Sequence, residues 1–156
     1  KRMSKEKVYN WGIIGCGKIS ADFANVLLNH PRCNVGACAA RNQASSDLFA
    51  KKFGIPLENS YSNYEDLMKN KNIDVLYVGC IHINHYETTL LGLHYNKHIL
   101  CEKPATMNVR ELNNVLKLAK QKNKFYMEGL WSKFFPAINQ VKSWIKDGEI
   151  GNIRTV

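Results

Sequence analysis

Short apolar runs alternate with segments of helical periodicity along the whole chain, and this alternation limits the folds open to it. A strand that is followed by a helix and then by another strand typically forms a parallel sheet covered by helices on both faces. The predicted fold class is therefore α/β, with a doubly wound parallel sheet. We predict strands at residues 8–14, 35–40, 73–79, 99–101 and 125–127, and helices at 18–29, 44–53, 62–68, 84–95, 137–146 and after Asn108.

The apolar positions also predict which side of a helix packs on the sheet. In the first helix the predicted inward residues are Ile19, Phe23, Val26 and Leu27, and in the helix after Asn108 they are Leu112, Val115, Leu116 and Ala119. Two capping boxes are predicted to begin helices, at Ser62 with Glu65 and at Asn108 with Glu111.

The chain has 156 residues, enough for one domain with a complete core, and its net charge of +9 is spread along the sequence. A nucleic-acid-binding protein usually concentrates its basic residues in one patch, so we predict no nucleic-acid partner. No apolar run approaches the roughly 20 residues of a membrane helix, so we predict no membrane segment. The five cysteines lack Cys-x-x-Cys spacing, which argues against a disulfide framework and a zinc site. We expect a reducing compartment, the cytoplasm.

A glycine motif follows the first predicted strand and opens the first helix. Gly15, Gly17 and Ser20 match the spacing of a loop that makes a tight turn and brings its backbone close to a pyrophosphate. The N-terminus of the helix then offers free N–H groups to the anion. An ordinary glycine turn is the alternative, because the motif alone is weakly specific.

The end of the second strand distinguishes between dinucleotides. NAD-binding sites place Asp or Glu there to bind the ribose, whereas this chain has Arg41 and no carboxylate. A guanidinium can pair with a 2′-phosphate through two hydrogen bonds. The sequence therefore favours NADP over NAD, and the alternative is a surface arginine without a ligand.

Two further motifs follow predicted strands. Glu102-Lys103-Pro104 places a lysine where it can bind a substrate hydroxyl and help move its proton, with the proline held in a cis bond. An exposed turn lysine is the alternative. Residues 80–85 include His82 and His85, which we predict to line the nicotinamide and substrate region. No third ligand lies nearby to complete a metal site.

Together these motifs resemble those of the Gfo/Idh/MocA family of NADP- or NAD-dependent oxidoreductases. Glu102-Lys103-Pro104 is the most specific motif of that family. Within it, residues 79–85 and 127–136 look most like the branch that oxidises trans-dihydrodiols and sugars. The resemblance covers residues 10–156 and implies a Rossmann dinucleotide-binding domain. It also implies that Lys103 is catalytic and that no residue binds a metal. The implied cofactor-binding residues are Gly15, Gly17, Lys18, Ile19, Arg41, Cys80, Ile81, His82, His85, Glu102, Lys103 and Trp131.

Family members continue into a second α/β domain that supplies another catalytic residue, most of the substrate pocket and the dimer interface. We therefore predict a basic tail at residues 1–7, the dinucleotide-binding domain at 8–148, and the start of the second domain at 149–156. The expected function is that of the cofactor-binding half of an NADP-dependent dehydrogenase, homodimeric in its longer form and inactive as this fragment. The alternative is a non-catalytic NADP-binding sensor or scaffold module, in which Lys103 would have no role.

Overall fold

The expected parallel sheet is present in the computed structural model of the protein, which describes residues 7–155. In chain order its strands are β1 Tyr9–Ile14, β2 Cys33–Ala39, β3 Ser60–Tyr61, β4 Val75–Val78, β5 His98–Glu102 and β6 Tyr126–Gly129. Within the sheet the order is β3-β2-β1-β4-β5-β6, and all the pairs are parallel. The predicted doubly wound sheet is confirmed, and its strand order reverses between β1 and β4, which we call the switch point. No apolar run predicts β3, which has only two residues.

The described residues form six α-helices, and all but the last pack on the two faces of the sheet. They are α1 Lys18–Leu28, α2 Gln43–Phe53, α3 Tyr64–Lys69, α4 His85–His94, α5 Val109–Gln121 and α6 Pro136–Lys146. Adjacent strand residues point to opposite faces, so Ile13 packs with α1 and α2 while Ile14 packs with α3, α4 and α5. Both isoleucines are fully buried. Each face therefore has its own apolar core.

Three side chains that the helical pattern predicts to be buried are exposed, which corrects that prediction. Ile19 is 38% exposed, Val26 63% and Leu116 47%. In α1 the buried residues next to Ile19 and Val26 include Ser20 and Ala24. These small side chains allow the helix to approach the sheet closely, and the buried stripe is therefore narrower than the apolar pattern.

The helix caps differ from the sequence prediction at one position. Asn63, rather than Ser62, caps α3, because the side-chain oxygen of Asn63 accepts a hydrogen bond from the Glu65 N–H at 2.8 Å. Asparagine and serine are comparably good caps, so the sequence alone did not decide between them. The other box is confirmed, since the Glu111 N–H donates to Asn108 Oδ1 at 3.0 Å.

The predicted basic tail and the predicted start of a second domain lie at the two ends of the chain. Residues 1–6 of the expected basic tail and Val156 lie outside the described residues, while the Nζ of Lys7 is 3.0 Å from Asp74 Oδ1. Residues 151–155, which belong to the predicted start of a second domain, have no regular secondary structure. Within residues 7–155, no helix is long and apolar enough to cross a membrane, and no group of three possible metal ligands occurs.

Candidate functional site

A cleft of about 240 Å³ opens at the carboxyl ends of β1, β2 and β4. It lies at the switch point, where two loops diverge to opposite faces of the sheet and leave room for a ligand. It is lined by five of the residues predicted from the sequence, which are Gly15, Gly17, Arg41, Cys80 and Ile81. The motifs that follow three separate strands therefore meet in one place.

The first glycine of the motif shapes the turn at the floor of this cleft. Gly15 has a φ of +86°, a conformation that costs other residues free energy, and its N–H donates to the Ala39 carbonyl at 2.9 Å. A Cβ at this position would lie 2.7 Å from the backbone nitrogen of Cys80. Gly15 is thus required both by its own conformation and by the close approach of the loop after β4.

The second glycine leaves space for a ligand instead. A Cβ on Gly17 would have no atom within 4 Å, so the space beside it is open. Gly17 is the residue before α1 and has no side chain to cap the N–H groups at the start of that helix. Those groups and the positive end of the helix dipole are suited to an anion such as a pyrophosphate.

Arg41 lies in the cleft, two residues after the end of β2 and beside the start of α2. Its neighbour Asn42 caps that helix, accepting a hydrogen bond from the Ser45 N–H at 2.8 Å. Asn42 and Ser45 also line the cleft, and no carboxylate occurs among the described residues that line it. The region is therefore positive and rich in hydrogen-bond donors, which suits a phosphate.

Seven lining residues were not predicted as site residues, namely Cys16, Ala40, Asn42, Ser45, Tyr64, Gly79 and Asn84. The signal for Asn42 and Ser45 was their position at the start of a helix beside Arg41. Tyr64 comes from α3, and no sequence pattern places that helix next to the cleft. Burial raises the pKa of the Tyr64 hydroxyl, with Arg41 acting in the opposite direction.

The turn after β5 has the expected cis bond between Lys103 and Pro104. The Lys103 side chain is exposed at the mouth of the sheet. The family resemblance implies that Glu102 binds the cofactor, whereas its Oε1 accepts a hydrogen bond from the Tyr77 hydroxyl at 2.7 Å. Its Oε2 is 3.2 Å from the Lys103 N–H. These contacts hold the Glu102 carboxylate against the sheet. Burial of the Tyr77 hydroxyl and its hydrogen bond to Glu102 both raise the pKa of Tyr77.

The two histidines after β4 occupy different surroundings. His82 is exposed, in a 3-10 turn over His82–Asn84. His85 is only 1% exposed, and its ring nitrogens lie 2.7 Å from the Pro104 carbonyl oxygen and 3.0 Å from that of Cys80. His85 therefore joins the loops after β4 and β5 and does not face the cleft, which differs from its predicted contact with ligand.

The remaining predicted residues border two neighbouring depressions. An apolar hollow of about 410 Å³ lies between α1 and the ends of β5 and β6, and its walls include Ile19, Glu102 and Trp131. Lys18 borders a third depression, on the α2 side of the glycine loop, together with Lys52. The predicted site residues are thus divided among the polar cleft, the apolar hollow and the depression beside Lys18, while His82, His85 and Lys103 line none of the three.

The residues of the polar cleft fit a dinucleotide. A Cβ at position 17 would fill the open space beside Gly17. That space faces the start of α1, whose N–H groups are not capped by a side chain. Gly17 and the start of α1 would hold the pyrophosphate, and Arg41 would lie toward a phosphate on the ribose. The donors in the cleft match the charge of the ligand and no acid opposes it.

Comparison with known proteins gives a family for this arrangement. The family model described as "Oxidoreductase family, NAD-binding Rossmann fold" matches residues 9–130. Trans-1,2-dihydrobenzene-1,2-diol dehydrogenase from Bos taurus is 38% identical over 148 residues, which are 94% of this chain and 44% of the relative. The enzyme of the same name from Sus scrofa is 39% identical over 148 residues. The chain thus spans about 44% of the length of the curated relatives it matches.

Solved structures share the fold. KijD10, a 3-ketoreductase from Actinomadura kijaniata solved with NADP, has a TM-score of 0.87 at 27% identity, covering 95% of this chain and 47% of that one. Apo scyllo-inositol dehydrogenase from Lactobacillus casei has a TM-score of 0.86 at 20% identity, covering 96% of this chain and 44% of that one. The resemblance inferred from the glycine loop and Glu102-Lys103-Pro104 is therefore confirmed. The chain belongs to the Gfo/Idh/MocA family, an oxidoreductase family with an NAD-binding Rossmann fold.

Proposed function

We propose that this chain is the cofactor-binding part of an NADP-dependent dehydrogenase that acts on a hydroxyl group of a dihydrodiol or a sugar. One observation carries the choice of cofactor. Arg41 lies in the cleft at the end of β2, and no carboxylate is present among the described lining residues. When bound, NADP supplies a nicotinamide that accepts a hydride.

The selectivity for NADP follows from the surroundings of Arg41. Its guanidinium presents paired N–H donors to a phosphate on the ribose 2′-oxygen, while Ser45 and the start of α2 lie beside it. In NAD the same position carries a hydroxyl, which gains little from a guanidinium and has no carboxylate to accept its hydrogen bond.

The substrate is inferred from relatives and from Lys103. Relatives at about 38% identity are named trans-1,2-dihydrobenzene-1,2-diol dehydrogenase, which supports a diol hydroxyl. Lys103 is exposed beside the cis-proline turn, where its ammonium can orient that hydroxyl and exchange a proton with it. Because the Tyr77 hydroxyl and the Lys103 N–H hold Glu102, that carboxylate is kept against the sheet.

We further propose that substrate turnover and homodimer formation depend on residues that the longer relatives have beyond the matched part. The chain by itself is then expected to bind NADPH without oxidising diols or pentoses. Each of the five cysteines is a free thiol, which supports a reducing compartment, the cytoplasm.

The cofactor proposal is tested by titrating tryptophan fluorescence with NADPH and with NADH. A charge-assisted hydrogen-bonded pair contributes about 1.5–3 kcal/mol, so NADPH is expected to bind roughly tenfold to over a hundredfold more tightly. Arg41→Ala should remove that preference. Arg110→Ala changes the charge equally on the exposed start of α5 and should retain it. Equal affinities for the two cofactors in the unchanged chain would refute the proposal.

The role of Lys103 is tested in the longer protein with its substrate. Lys103→Met removes the ammonium and retains most of the length, so we expect kcat to fall by about two to four orders of magnitude. The Kd for NADPH should change only a few-fold, and Lys117→Met on the exposed side of α5 serves as the control. If cofactor binding is lost while kcat at saturation is unchanged, Lys103 anchors the cofactor and the assignment is wrong. If the longer protein binds NADPH but oxidises neither diols nor sugars, the sensor or scaffold alternative is favoured.

A further inference from the structure

The proposed function makes no use of the apolar hollow beside α1. Aromatic side chains from α1, β4 and the turn before α6 line much of it, namely Phe23, Tyr77, Trp131 and Phe134. The rings of Phe23 and Tyr77 stack with their centroids 4.3 Å apart. Trp131 and Phe134 are both more than half exposed, so their rings are accessible to a ligand.

The charged side chains of this hollow are all acidic. Asp22 on α1 and Glu102 at the end of β5 line it, and none of the described residues that line it is Lys, Arg or His. Lys133, in the same turn as Trp131, lines a neighbouring depression together with Lys142 and Glu128. The chain as a whole has 22 basic and 13 acidic residues, so the charge of the hollow is opposite to that of the protein.

Uncharged donors hold the Glu102 carboxylate in place. Its Oε1 accepts the hydrogen bond from the Tyr77 hydroxyl at 2.7 Å, and its Oε2 lies 3.2 Å from the Lys103 N–H. Neither donor carries a charge, so these contacts fix the position of the carboxylate without neutralising it. A half-buried carboxylate beside apolar side chains is stabilised further when an opposite charge lies next to it.

Aromatic ring faces and carboxylates attract the same class of ligand. The face of an aromatic ring is electron-rich and binds cations, above all ammonium ions that carry alkyl groups. Two carboxylates alone supply too few oxygen ligands for a calcium or magnesium ion, which takes six or more. The apolar walls offer few hydrogen-bond acceptors to a primary ammonium, whereas methyl groups on nitrogen gain by leaving water.

We propose that the apolar hollow is a binding site for an alkylated ammonium ion, which contacts the rings of Trp131 and Phe134 and lies beside Asp22 and Glu102. Such a site goes beyond the proposed function and does not depend on it. The polar cleft and the hollow have no lining residue in common, so both can be occupied at once.

The test uses three probes of similar shape and different charge, each titrated into the chain by isothermal calorimetry. Choline is the cation, 3,3-dimethylbutan-1-ol has a carbon in place of its nitrogen, and 3,3-dimethylbutanoate is the anion. We expect choline to bind roughly tenfold more tightly than the alcohol, and the anion to give no heat of binding. Equal affinities for choline and the alcohol would mean that the hollow is only an apolar surface, and would overturn the proposal.

Substitutions then locate the bound cation. Trp131→Ala should weaken choline binding about threefold or more, whereas Trp131→Phe keeps an aromatic ring and should retain most of the affinity. Asp22→Asn should weaken it about two- to fivefold, as expected for an exposed charge pair. Glu87→Gln makes the same charge change at an exposed position on α4, which packs on the other face of the sheet, and should have no effect. Equal losses in Asp22→Asn and Glu87→Gln would refute the site.

A further titration separates the hollow from the dinucleotide site, because the family resemblance implies that Ile19, Glu102 and Trp131 bind the cofactor. The affinity for choline should be the same with and without saturating NADPH. If NADPH displaces choline, the hollow belongs to the dinucleotide site and the separate site is refuted. If choline binds as expected while NADPH does not bind at all, the proposed function fails and the cation site stands. If choline does not bind and sedimentation shows a dimer, a second copy covers the hollow and the proposal is overturned.

Discussion

Helices α1 and α6 both have an amphipathic sequence, yet they are in opposite surroundings. α1 buries Ser20, Ala24 and Leu27 against the sheet next to the cleft. α6, which follows the edge strand β6, has no buried residue, and its apolar side chains include Ile145 at 41% exposed. The difference shows that an apolar stripe predicts a helix, whereas burial also needs a surface to face it, and within residues 7–155 no strand lies under α6.

The polar cleft and the apolar hollow also differ in whether the elements that line them are packed or exposed. The loops that border the cleft follow central strands and lead into helices that pack on the sheet. This packing fixes the positions of Gly15 and Arg41. One wall of the hollow consists of Trp131 and Phe134, in the exposed turn before α6. We therefore expect the cleft to tolerate few substitutions and the turn before α6 to tolerate many.

The largest expected effect contrasts one buried and one exposed aliphatic residue on these two helices. Leu27→Ala in α1 creates a cavity and should lower the free energy of unfolding by about 2–5 kcal/mol. Ile145→Ala in α6 should change it by less than about 0.5 kcal/mol, as expected for an exposed position. Chemical denaturation of both variants measures this, and equal losses would show that α6 is packed.

A smaller effect is expected within the cleft itself. Gly15→Ala forces a side chain into a positive-φ conformation against the Cys80 backbone, which should cost about 1–3 kcal/mol of stability. Gly17→Ala meets no protein atom, so its unfolding midpoint should be nearly unchanged while its affinity for NADPH falls. Thermal unfolding and cofactor titration of the pair separate the two roles, and the idea fails if Gly17→Ala is the less stable variant.

The smallest expected effect on stability comes from deleting α6 and the exposed turn before it. Deleting residues 131–155 removes α6 and the turn before it, which contribute no buried residue. The unfolding midpoint of the shortened chain should stay within about 2 °C of the original, because 1 kcal/mol corresponds to about 2–4 °C at this size. Differential scanning calorimetry provides the measurement. A decrease of 10 °C would mean that the hollow contributes to the core.

The sequence alone predicted the cleft residues whose residue type suits a single structural role. Gly15 and Gly17 were predicted from the tight turn and the open helix start, and Arg41 from its place after the second strand. All three line the same cleft. Those predictions need only the rule that the carboxyl ends of parallel strands share one edge of the sheet.

The sequence was insufficient where a residue has several possible partners. Glu102 was expected to face a cofactor, but Tyr77 on the neighbouring strand binds it at 2.7 Å, a contact that depends on strand register. Lys18 follows Gly17 directly, yet the turn of the helix directs it to the α2 side of the loop. Ile19 and Val26 were assigned to the core because periodicity gives the direction of a stripe and not its width.

The imidazole of His85 separates the positions of two strand ends from the sequence of the turn between them. It fixes the Cys80 carbonyl on one side and the Pro104 carbonyl on the other, so the ends of two strands keep their spacing whatever lies between them. The residues it spans, among them His82 and Ile83, are exposed in the turn before α4. Substitutions at His82 and Ile83 are therefore expected to leave the distance between the ends of β4 and β5 unchanged.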